Sequence, residues 1–346
     1  MANLRTNKLV GIGSTDAGVV FDGPIKINTQ GVMYFPKGET TQRGRGRGVF
    51  SGGFGYQPSA TFDNKIQYLQ IQSQGNTIDF GDLTVGRSSI GNASSSTRGI
   101  NGGGYTESPA TARFNVIDYI TFQTTGNAID FGDLPTAKQT GPGACGSDTR
   151  GIITWGGSTG SKVNTIDYIT IATTGNATDF GDSTISSSNG AKCSSPTRGI
   201  KGAGWISAPI NLIEYLTIAT TGNATDFGDL LTTQYGGRSS SSATRCVWGG
   251  GGTPTATDAI TFVEIATTGN SVDFGDLIEV RIANSSVGNS IRGIFAGGYN
   301  PSPSVVWKNT MDFVNIASTG NASDFGDAST SSRNMGGFSD SHGGLS

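Results

Sequence analysis

Residues able to do acid, base or nucleophilic chemistry are few and widely spaced in this 346-residue chain. His342 is the only histidine, so a catalytic triad, a Cys–His pair or a histidine-rich metal site would all have to use it. Cys145, Cys193 and Cys246 are odd in number and far apart, and no Cys-x-x-Cys pair exists. A disulfide framework and a zinc site are therefore not expected. The sequence favours a protein that is not an enzyme, with no catalytic set, metal or cofactor.

Carboxylates are concentrated in a recurring Asp-Phe-Gly-Asp motif, which holds 12 of the 26 acidic residues. Six aspartate pairs could each hold Ca²⁺, because Asp oxygens and turn carbonyls suit a hard cation. The alternative is local: the aspartates cap the adjacent turns and pair with a recurring arginine. Near-identical copies favour this structural role. The set is represented by Asp130, Asp179, Asp226 and Asp273.

An arginine also recurs, followed by glycine and an apolar residue in most copies. Six such arginines could line a channel and bind an anion. We expect instead that each links its own segment to a neighbouring turn or aspartate. The copies with the regular Arg-Gly-Ile sequence are Arg98, Arg150, Arg198 and Arg292. Arg47-Gly48-Val49 and Arg245-Cys246-Val247 are the variants.

The composition narrows the class of protein. Glycine accounts for 55 residues, charged residues for 14% and apolar residues for 34%, which excludes a coiled coil, a helical bundle and a charge-rich disordered chain. No apolar stretch is long enough for a transmembrane helix, and the first residues lack the apolar region of a signal peptide. A net charge of -3 argues against a nucleic-acid partner. We expect no membrane insertion.

An internal repeat predicts the fold. The phenylalanine of Asp-Phe-Gly-Asp stands at 80, 131, 180, 227, 274 and 325, at spacings of 51, 49, 47, 47 and 51. Each copy follows a Gly-Asn turn and, before it, an alternating run such as Ile-Asp-Tyr-Ile-Thr-Ile at 166–171. Four short strands per unit and six units indicate an all-β, six-bladed β-propeller with four-stranded blades. A propeller of the RCC1 type is an alternative, and a β-solenoid is disfavoured because its coils are shorter.

The order of strands predicts how the two ends of the repeat region meet. The first recognisable strand, 47–53, is of the second type, and 331–340 resembles a missing first strand. The C-terminal strand therefore completes blade 1 and closes the ring, which leaves no exposed edge. The predicted blades are 44–84 with 330–346, 85–135, 136–183, 184–230, 231–277 and 278–328. Residues 41–346 form the propeller, and residues 1–40 form a β-rich segment that attaches it to a larger assembly.

Loops that differ among the six units are the candidate binding surface, because variable loops on a rigid scaffold usually carry binding. The connections between the second and third strands, and those between units, differ in length and content and share one face. Residues 1–40 approach from the other face. Aromatic side chains in these loops can stack on sugar rings or anchor a protein interface. The candidates are Phe54, Tyr56, Tyr105, Trp205, Tyr299 and Trp307.

The unit resembles the kelch repeat, with a small-residue strand, a strand ending in Gly-Gly, a strand with an aromatic and a short fourth strand. More specifically, the run from Tyr168 to Asp182 is similar to repeats in virion proteins of marine bacteriophages that infect cyanobacteria. The resemblance covers all six units. It implies a tail fibre, appendage or head decoration protein, assembled in the host cytoplasm, that contacts capsid or tail proteins through residues 1–40.

Three functions stay open on this resemblance. The first is recognition of a host surface glycan or receptor, with weak contacts summed over many copies, including a homo-oligomer in the virion. The second is a purely structural decoration or adaptor protein. The third is a carbohydrate-active propeller, which needs converging carboxylates, for which Asp63, Glu107 and Asp258 are the candidates.

Overall fold

The computed structural model describes residues 46–56, 60–107, 110–253 and 255–345. Residue contacts divide the chain into two units, Met1–Arg43 and Gly44–Ser346. The described residues all belong to the second unit. The predicted attachment segment, residues 1–40, lies outside them.

The described chain is all-β, as predicted, and its strands form six main antiparallel sheets, in each of which neighbouring strands pair in the order named. Sheet 1 contains Gly336–Ser339, Arg47–Ser51, Lys65–Gln70 and Ile78–Asp82. Sheet 2 contains Gly91–Ser94, Arg98–Gly102, Val116–Thr121 and Ile129–Asp133. Sheet 3 contains Arg150–Ser158, Lys162–Thr170 and Thr178–Asp182. Sheet 4 contains Ala191–Ser194, Arg198–Gly202, Ile210–Thr217 and Thr225–Gln234. Sheet 5 contains Arg238–Ser241, Arg245–Gly249, Ala259–Glu264 and Val272–Asp276. Sheet 6 contains Ser285–Gly288, Arg292–Ala296, Thr310–Asn315 and Ser323–Asp327.

Smaller strands lie in the connections between second and third strands and, in the case of Ser332–Arg333, in the connection before Gly336–Ser339. Within the described residues these are Phe54–Tyr56, Ala60–Phe62 and Ser332–Arg333; Tyr105–Thr106 and Ala112–Arg113; Gly252–Thr253 and Thr255–Ala256; and Tyr299–Asn300 and Val306–Trp307. A short 3-10 helix, Gly343–Leu345, is the one helical element described. The fourth strand of sheet 4 runs to Gln234, past the predicted blade end at 230.

Sheet 1 takes its first strand from the far end of the chain. Gly336–Ser339 pairs antiparallel with Arg47–Ser51, with Val49 opposite Phe338. The side chain of Asp340 then accepts hydrogen bonds from the backbone N–H groups of Gly46 at 2.7 Å and Arg47 at 3.1 Å. The expected pairing of the C-terminal strand with the first Arg-Gly strand is therefore present.

The apolar core is divided into six clusters, each between two sheets. In the third strand of sheet 2, Ile117 and Ile120 are both buried but point to opposite faces, Ile117 toward sheet 3 and Ile120 toward sheet 1, so both faces of this strand are covered. Ile117 packs with Phe131 of the same sheet and with Ile153 of sheet 3. The cluster that contains Phe50 joins sheet 1 to Val287, Ile294 and Phe325 of sheet 6 in the same way.

The regular spacing of Asp-Phe-Gly-Asp and Gly-Asn is explained by hydrogen bonds between successive sheets. The N–H of Gly126 donates to the carbonyl of Phe80 at 2.8 Å, and the side-chain oxygen of Asn127 accepts from the N–H of Asp82 at 3.0 Å. Gly81, at φ +148°, lies against the carbonyl of Gly126, where a Cβ would not fit. Sheets 1 and 6 are joined likewise, by Gly75 N–H to the Phe325 carbonyl at 2.8 Å.

The recurring arginines donate to backbone carbonyls of a neighbouring sheet rather than to aspartates. Arg98 Nη1 donates to the carbonyls of Ile171 at 3.1 Å and Ala172 at 2.9 Å, and its guanidinium carbon lies 4.8 Å from the ring centroid of Tyr119. The other three do the same to residues at the end of a third strand: Arg150 to Ile218, Arg198 to Ile265 and Ala266, and Arg292 to Ile71 and Gln72. The expected link of each of these four arginines to a neighbouring turn is therefore present, and the alternative pairing with an aspartate is wrong for the described residues.

The four aspartates expected to pair with these arginines are exposed to solvent. The arginine packs on an aromatic ring instead, and that ring packs on the phenylalanine of the Asp-Phe-Gly-Asp motif. Tyr119, which contacts Arg98, meets Phe131 edge-on at 5.9 Å between ring centroids. Within the described residues none of the four aspartates forms an ion pair: Asp130, Asp179, Asp226 and Asp273.

Buried carboxylates of the third strands pair with cations from other segments of the chain. Arg87 lies 3.0 Å from Asp118, and both side chains are inaccessible to solvent. The equivalent pairs elsewhere are Lys138 with Asp167, Lys201 with Glu214, and Arg281 with Asp312. Most of the cations stand in the connections between units that the sequence assigned to the variable surface, so part of that variation serves the core.

Sheet 3 departs from the predicted four strands. The segment before Arg150 makes only isolated bridges, Asn92 with Ala144 and Gly146 with Gly151. Gly143, which stands where the first strands of sheets 2, 4, 5 and 6 begin, has a positive φ of 128°, which residues in a regular strand do not adopt. The buried Nζ of Lys192 donates to the carbonyls of Ile152 at 3.1 Å and Ile153 at 2.7 Å. Burial lowers the pKa of Lys192 to about 8.

A disulfide joins Cys193 of sheet 4 to Cys246 of sheet 5, with their Cα atoms 6.6 Å apart. The expectation that the cysteines form no disulfide framework is therefore wrong for this pair. Cys145 is free and fully buried, and burial raises its pKa to about 12. A pairing between two units could not be inferred because the two cysteines stand at different positions of the repeat.

Candidate binding face

The two kinds of variable loop are hydrogen-bonded to each other. Ser88, between sheets 1 and 2, and Tyr105, after the second strand of sheet 2, exchange two backbone hydrogen bonds at 3.0 Å. The same pairing occurs in every unit: Gln139 with Ser158, Ser188 with Trp205, Tyr235 with Gly252, Ile282 with Tyr299, and Arg333 with Phe54. We call the surface formed by these twelve residues and their loops the loop face.

A chain of backbone hydrogen bonds fixes the loop face. Ser89, Ala283 and Asn334 adopt positive φ values of 52°, 58° and 54°, although none is glycine. The N–H of Ser89 donates to the carbonyl of Asn334 at 2.9 Å, and the N–H of Asn334 donates to the carbonyl of Ala283 at 2.8 Å. Because backbone hydrogen bonds already hold the loops in place, the neighbouring side chains are not needed to stabilise them and are available for binding.

An arginine lies at the centre of an aromatic cluster on this face. The guanidinium carbon of Arg333 is 5.0 Å from the ring centroid of Phe54 and 5.2 Å from those of Tyr299 and Trp307. Phe54 also contacts Phe62 at 4.8 Å and Trp307 at 5.6 Å between centroids. Cation–π contacts of this kind orient the guanidinium and hold the rings around it. We call these five residues the Arg333 cluster.

Two more aromatic groups border the cluster. Tyr105 meets Phe62 edge-on at 5.5 Å, and its hydroxyl donates to Glu107 Oε1 at 2.7 Å. Burial, with the neighbouring Glu107, raises the pKa of Tyr105 to about 12, so this phenol is neutral at physiological pH. Further along the face, Trp205 packs against Tyr235 at 4.8 Å.

A cavity of about 190 Å³ lies between these groups, and we call it the loop cavity. Its lining comes from all six units and combines aromatic, amide and cationic side chains. The aromatic, amide and cationic side chains are Tyr105, Gln139, Asn189, Tyr235, Tyr299 and Arg333. Burial, together with the nearby Tyr299, raises the pKa of Tyr235. The cavity can therefore offer neutral hydroxyl and amide groups and one fixed positive charge.

The structure brings together four of the six aromatic residues that the sequence singled out. Phe54, Tyr299 and Trp307 surround Arg333, and Tyr105 joins them through Phe62. Trp205 stands apart with Tyr235. The side chain of Tyr56 lies outside the described residues.

Sequence reasoning missed Phe62, Tyr235 and Arg333 as members of the site. A signal for Arg333 was available, because the equivalent position in the other five units is uncharged. Those positions are Ser88, Gln139, Ser188, Tyr235 and Ile282.

The groups considered for catalysis are placed elsewhere or used locally. His342 is buried; its Nε2 lies 3.2 Å from the Ser94 carbonyl, and its Nδ1 accepts from the N–H of Gly344 at 3.1 Å. Burial lowers the pKa of His342 to about 4. Asp63 Oδ1 accepts from the N–H of Lys65 at 3.1 Å. Among the described residues no three His, Cys, Asp or Glu side chains are grouped closely enough to hold a metal ion.

A scan against protein-family models and a search of curated proteins both give no match for this chain. In the part of the chain that the structure describes, no helix has the length and apolar character needed to span a membrane.

Proposed function

We propose that the chain is a six-bladed, kelch-like β-propeller of a phage virion, and that its loop face binds saccharides on the host surface without catalysing a reaction. Residues 1–40 attach the propeller to capsid or tail proteins. The observation that carries the binding proposal is the Arg333 cluster beside the loop cavity.

The closed ring is supported by the order of contacts between sheets. Gly-Asn turns donate to Asp-Phe-Gly-Asp carbonyls from each sheet to the one before it, and the bond from Gly75 to Phe325 joins sheet 1 to sheet 6. The cluster that contains Phe50 adds an apolar contact between the same two sheets. Six sheets linked in this cyclic order are what a six-bladed propeller requires.

Saccharide binding is supported by the chemistry of the loop face. Aromatic rings offer flat apolar surfaces to the C–H faces of sugars, and hydroxyl and amide groups bind sugar hydroxyls. Tyr299 and Trp307 supply the rings, and Gln139 and Asn189 supply the amides. The loops hold these groups on a backbone that is already fixed, so little ordering is needed on binding.

The virion assignment rests on the resemblance of the six repeats to phage virion proteins. Attachment of many copies to one particle would multiply weak saccharide contacts. Mass spectrometry of gradient-purified particles tests this part: the chain should co-purify at a fixed copy number. Its absence from particles would overturn the virion assignment while leaving saccharide binding open.

A glycan array probed with the full chain tests the binding part. Trp307→Ala removes a ring of the Arg333 cluster, and Ile129→Ala, at a position 60% exposed on a fourth strand, is the matched control. We expect the tryptophan variant to lose at least tenfold in affinity and the control to bind as the parent does. If no glycan binds, or if both variants bind equally, the loop face is instead the contact of a structural decoration or adaptor protein.

A further inference from the structure

Arg333 differs from the cations of the buried ion pairs and from the recurring arginines, because its guanidinium has no hydrogen-bond or ion-pair partner in the described chain. Arg87 and Lys138 form ion pairs with Asp118 and Asp167, and Arg98 donates to carbonyls. Arg238, buried without a carboxylate, donates to Asn334 Oδ1 at 2.8 Å. The guanidinium of Arg333 instead contacts three aromatic rings. These contacts involve the ring faces and leave its N–H groups without an acceptor in the described chain.

The position of Arg333 also shows that its charge is not part of the repeat. The five equivalent positions carry serine, glutamine, serine, tyrosine and isoleucine, and the same backbone pairing forms at each. A cation is therefore not needed to build this loop. Because Arg333 lines the loop cavity, its charge faces the space where a ligand would lie.

We propose that the loop cavity binds an acidic saccharide, whose carboxylate is recognised by Arg333 while its ring packs on the surrounding aromatic side chains. This inference rests on the proposed function and names its ligand class. A planar guanidinium donates two parallel hydrogen bonds to a carboxylate, and the surrounding rings limit competition from water. Tyr299 and Trp307 already fix the plane of the guanidinium, so little side-chain entropy is lost on binding.

The rest of the lining favours an anion with hydroxyl groups. Tyr105 and Tyr235 have raised pKa values, so they stay neutral and do not repel a carboxylate. Glu107, an acidic side chain beside the cavity, is exposed and accepts the hydrogen bond of Tyr105. Gln139 and Asn189 also line the cavity, and their amides can bond to sugar hydroxyls.

The test uses matched acidic and neutral probes with the full chain, by isothermal titration calorimetry. The pairs are trigalacturonate with its methyl ester, and sialyllactose with lactose. The variants are Arg333→Gln, which removes the charge, and Arg333→Lys, which keeps the charge but not the two-pronged geometry. Lys162→Gln removes an exposed charge from the hairpin of sheet 3 and is the control.

We expect at least one acidic probe to bind tenfold or more tightly than its neutral match. Arg333→Gln should abolish this preference, Arg333→Lys should reduce it, and Lys162→Gln should leave it unchanged. Equal binding of acidic and neutral probes overturns the acidic ligand but leaves saccharide binding standing. If the chain binds neither member of either probe pair but does bind other glycans on the array, the acidic ligand is likewise overturned and saccharide binding still stands. If the Arg333→Gln protein does not fold, the ratio of the parent protein's affinities for the acidic and the neutral probe still decides whether the ligand is acidic.

Discussion

Cys193 of sheet 4 is bonded to Cys246 of sheet 5 at a position where glycine stands in the other five units. In each of those units a first-strand side chain of one sheet packs onto the glycine that follows the recurring arginine of the next. The contacts are Val287 on Gly48, Phe338 on Gly99, Ala93 on Gly151, Cys145 on Gly199, and Ser240 on Gly293. The disulfide thus replaces a close packing contact with a covalent bond.

Gly199→Cys should form a second disulfide, with Cys145. A Cβ at position 199 would lie 2.8 Å from Cys145 Sγ, and residues 145 and 199 are 54 apart in sequence, against 53 for the native pair. A new link of this length should stabilise the fold by about 2–4 kcal/mol. Peptide mapping under non-reducing conditions detects the bond, and thermal unfolding with and without reductant measures its effect.

Gly293→Cys is the control, because the side chain opposite it is Ser240 and no thiol is close. It should give no new cross-link and should destabilise the protein by overpacking. A Gly199→Cys protein that keeps two free thiols after oxidation would contradict the equivalence of the two inter-sheet contacts.

Gly132→Ala should destabilise the protein much more than Gly126→Ala. Both glycines have strongly positive φ, +147° and +153°, so the backbone strain is similar. A Cβ at 132 would strike the carbonyl of Gly175, whereas nothing lies within 4 Å of one at 126. We expect a difference of about 2 kcal/mol or more in the free energy of unfolding, measured with urea. Equal losses would mean that the inter-sheet contact is not tight.

Asp118→Thr should cost roughly 3–5 kcal/mol, because it leaves the guanidinium of Arg87 buried without its carboxylate. Sheet 5 carries the uncharged residues Thr261 and Gln234 at the equivalent positions, so the fold accepts uncharged side chains at both places. Adding Arg87→Gln to Asp118→Thr should recover most of the lost stability. Urea unfolding of both single variants and the double variant gives the coupling. Simple additivity of the two losses would argue against a buried ion pair.

His342 should make the fold sensitive to acid. Its pKa is lowered to about 4 by burial, whereas the unfolded chain takes up the proton near pH 6.5. The stabilising contribution is complete above pH 6.5 and is lost as the pH falls to 4, by about 3 kcal/mol in total. His342→Gln should lack this loss, so the stability difference between parent and variant should shrink on acidification. Parallel pH profiles of the two proteins would contradict the burial of a neutral imidazole.

The regular parts of the fold could be predicted from sequence because each repeats. The alternation around Ile117 and the Gly-Asn and Asp-Phe-Gly-Asp pair recur six times, and repetition separates a structural signal from chance. The partner of Arg98 could not be predicted, since carbonyls and aspartates both accept hydrogen bonds and both recur with it. The Arg333 cluster was hidden because Phe54, Phe62, Tyr299 and Trp307 come from segments that are distant in sequence and individually irregular.

The pairing of Gly336–Ser339 with Arg47–Ser51 sets the timing of folding during synthesis. Sheets 2, 4, 5 and 6 are each built from consecutive strands and can form as the ribosome releases them. Sheet 1 waits, because its first strand is translated almost 300 residues after its second. Until then Arg47–Ser51 has an open edge that other chains could pair with. A nascent chain halted before residue 336 would expose this edge, so sheet 1 can be completed only after translation has passed Ser339.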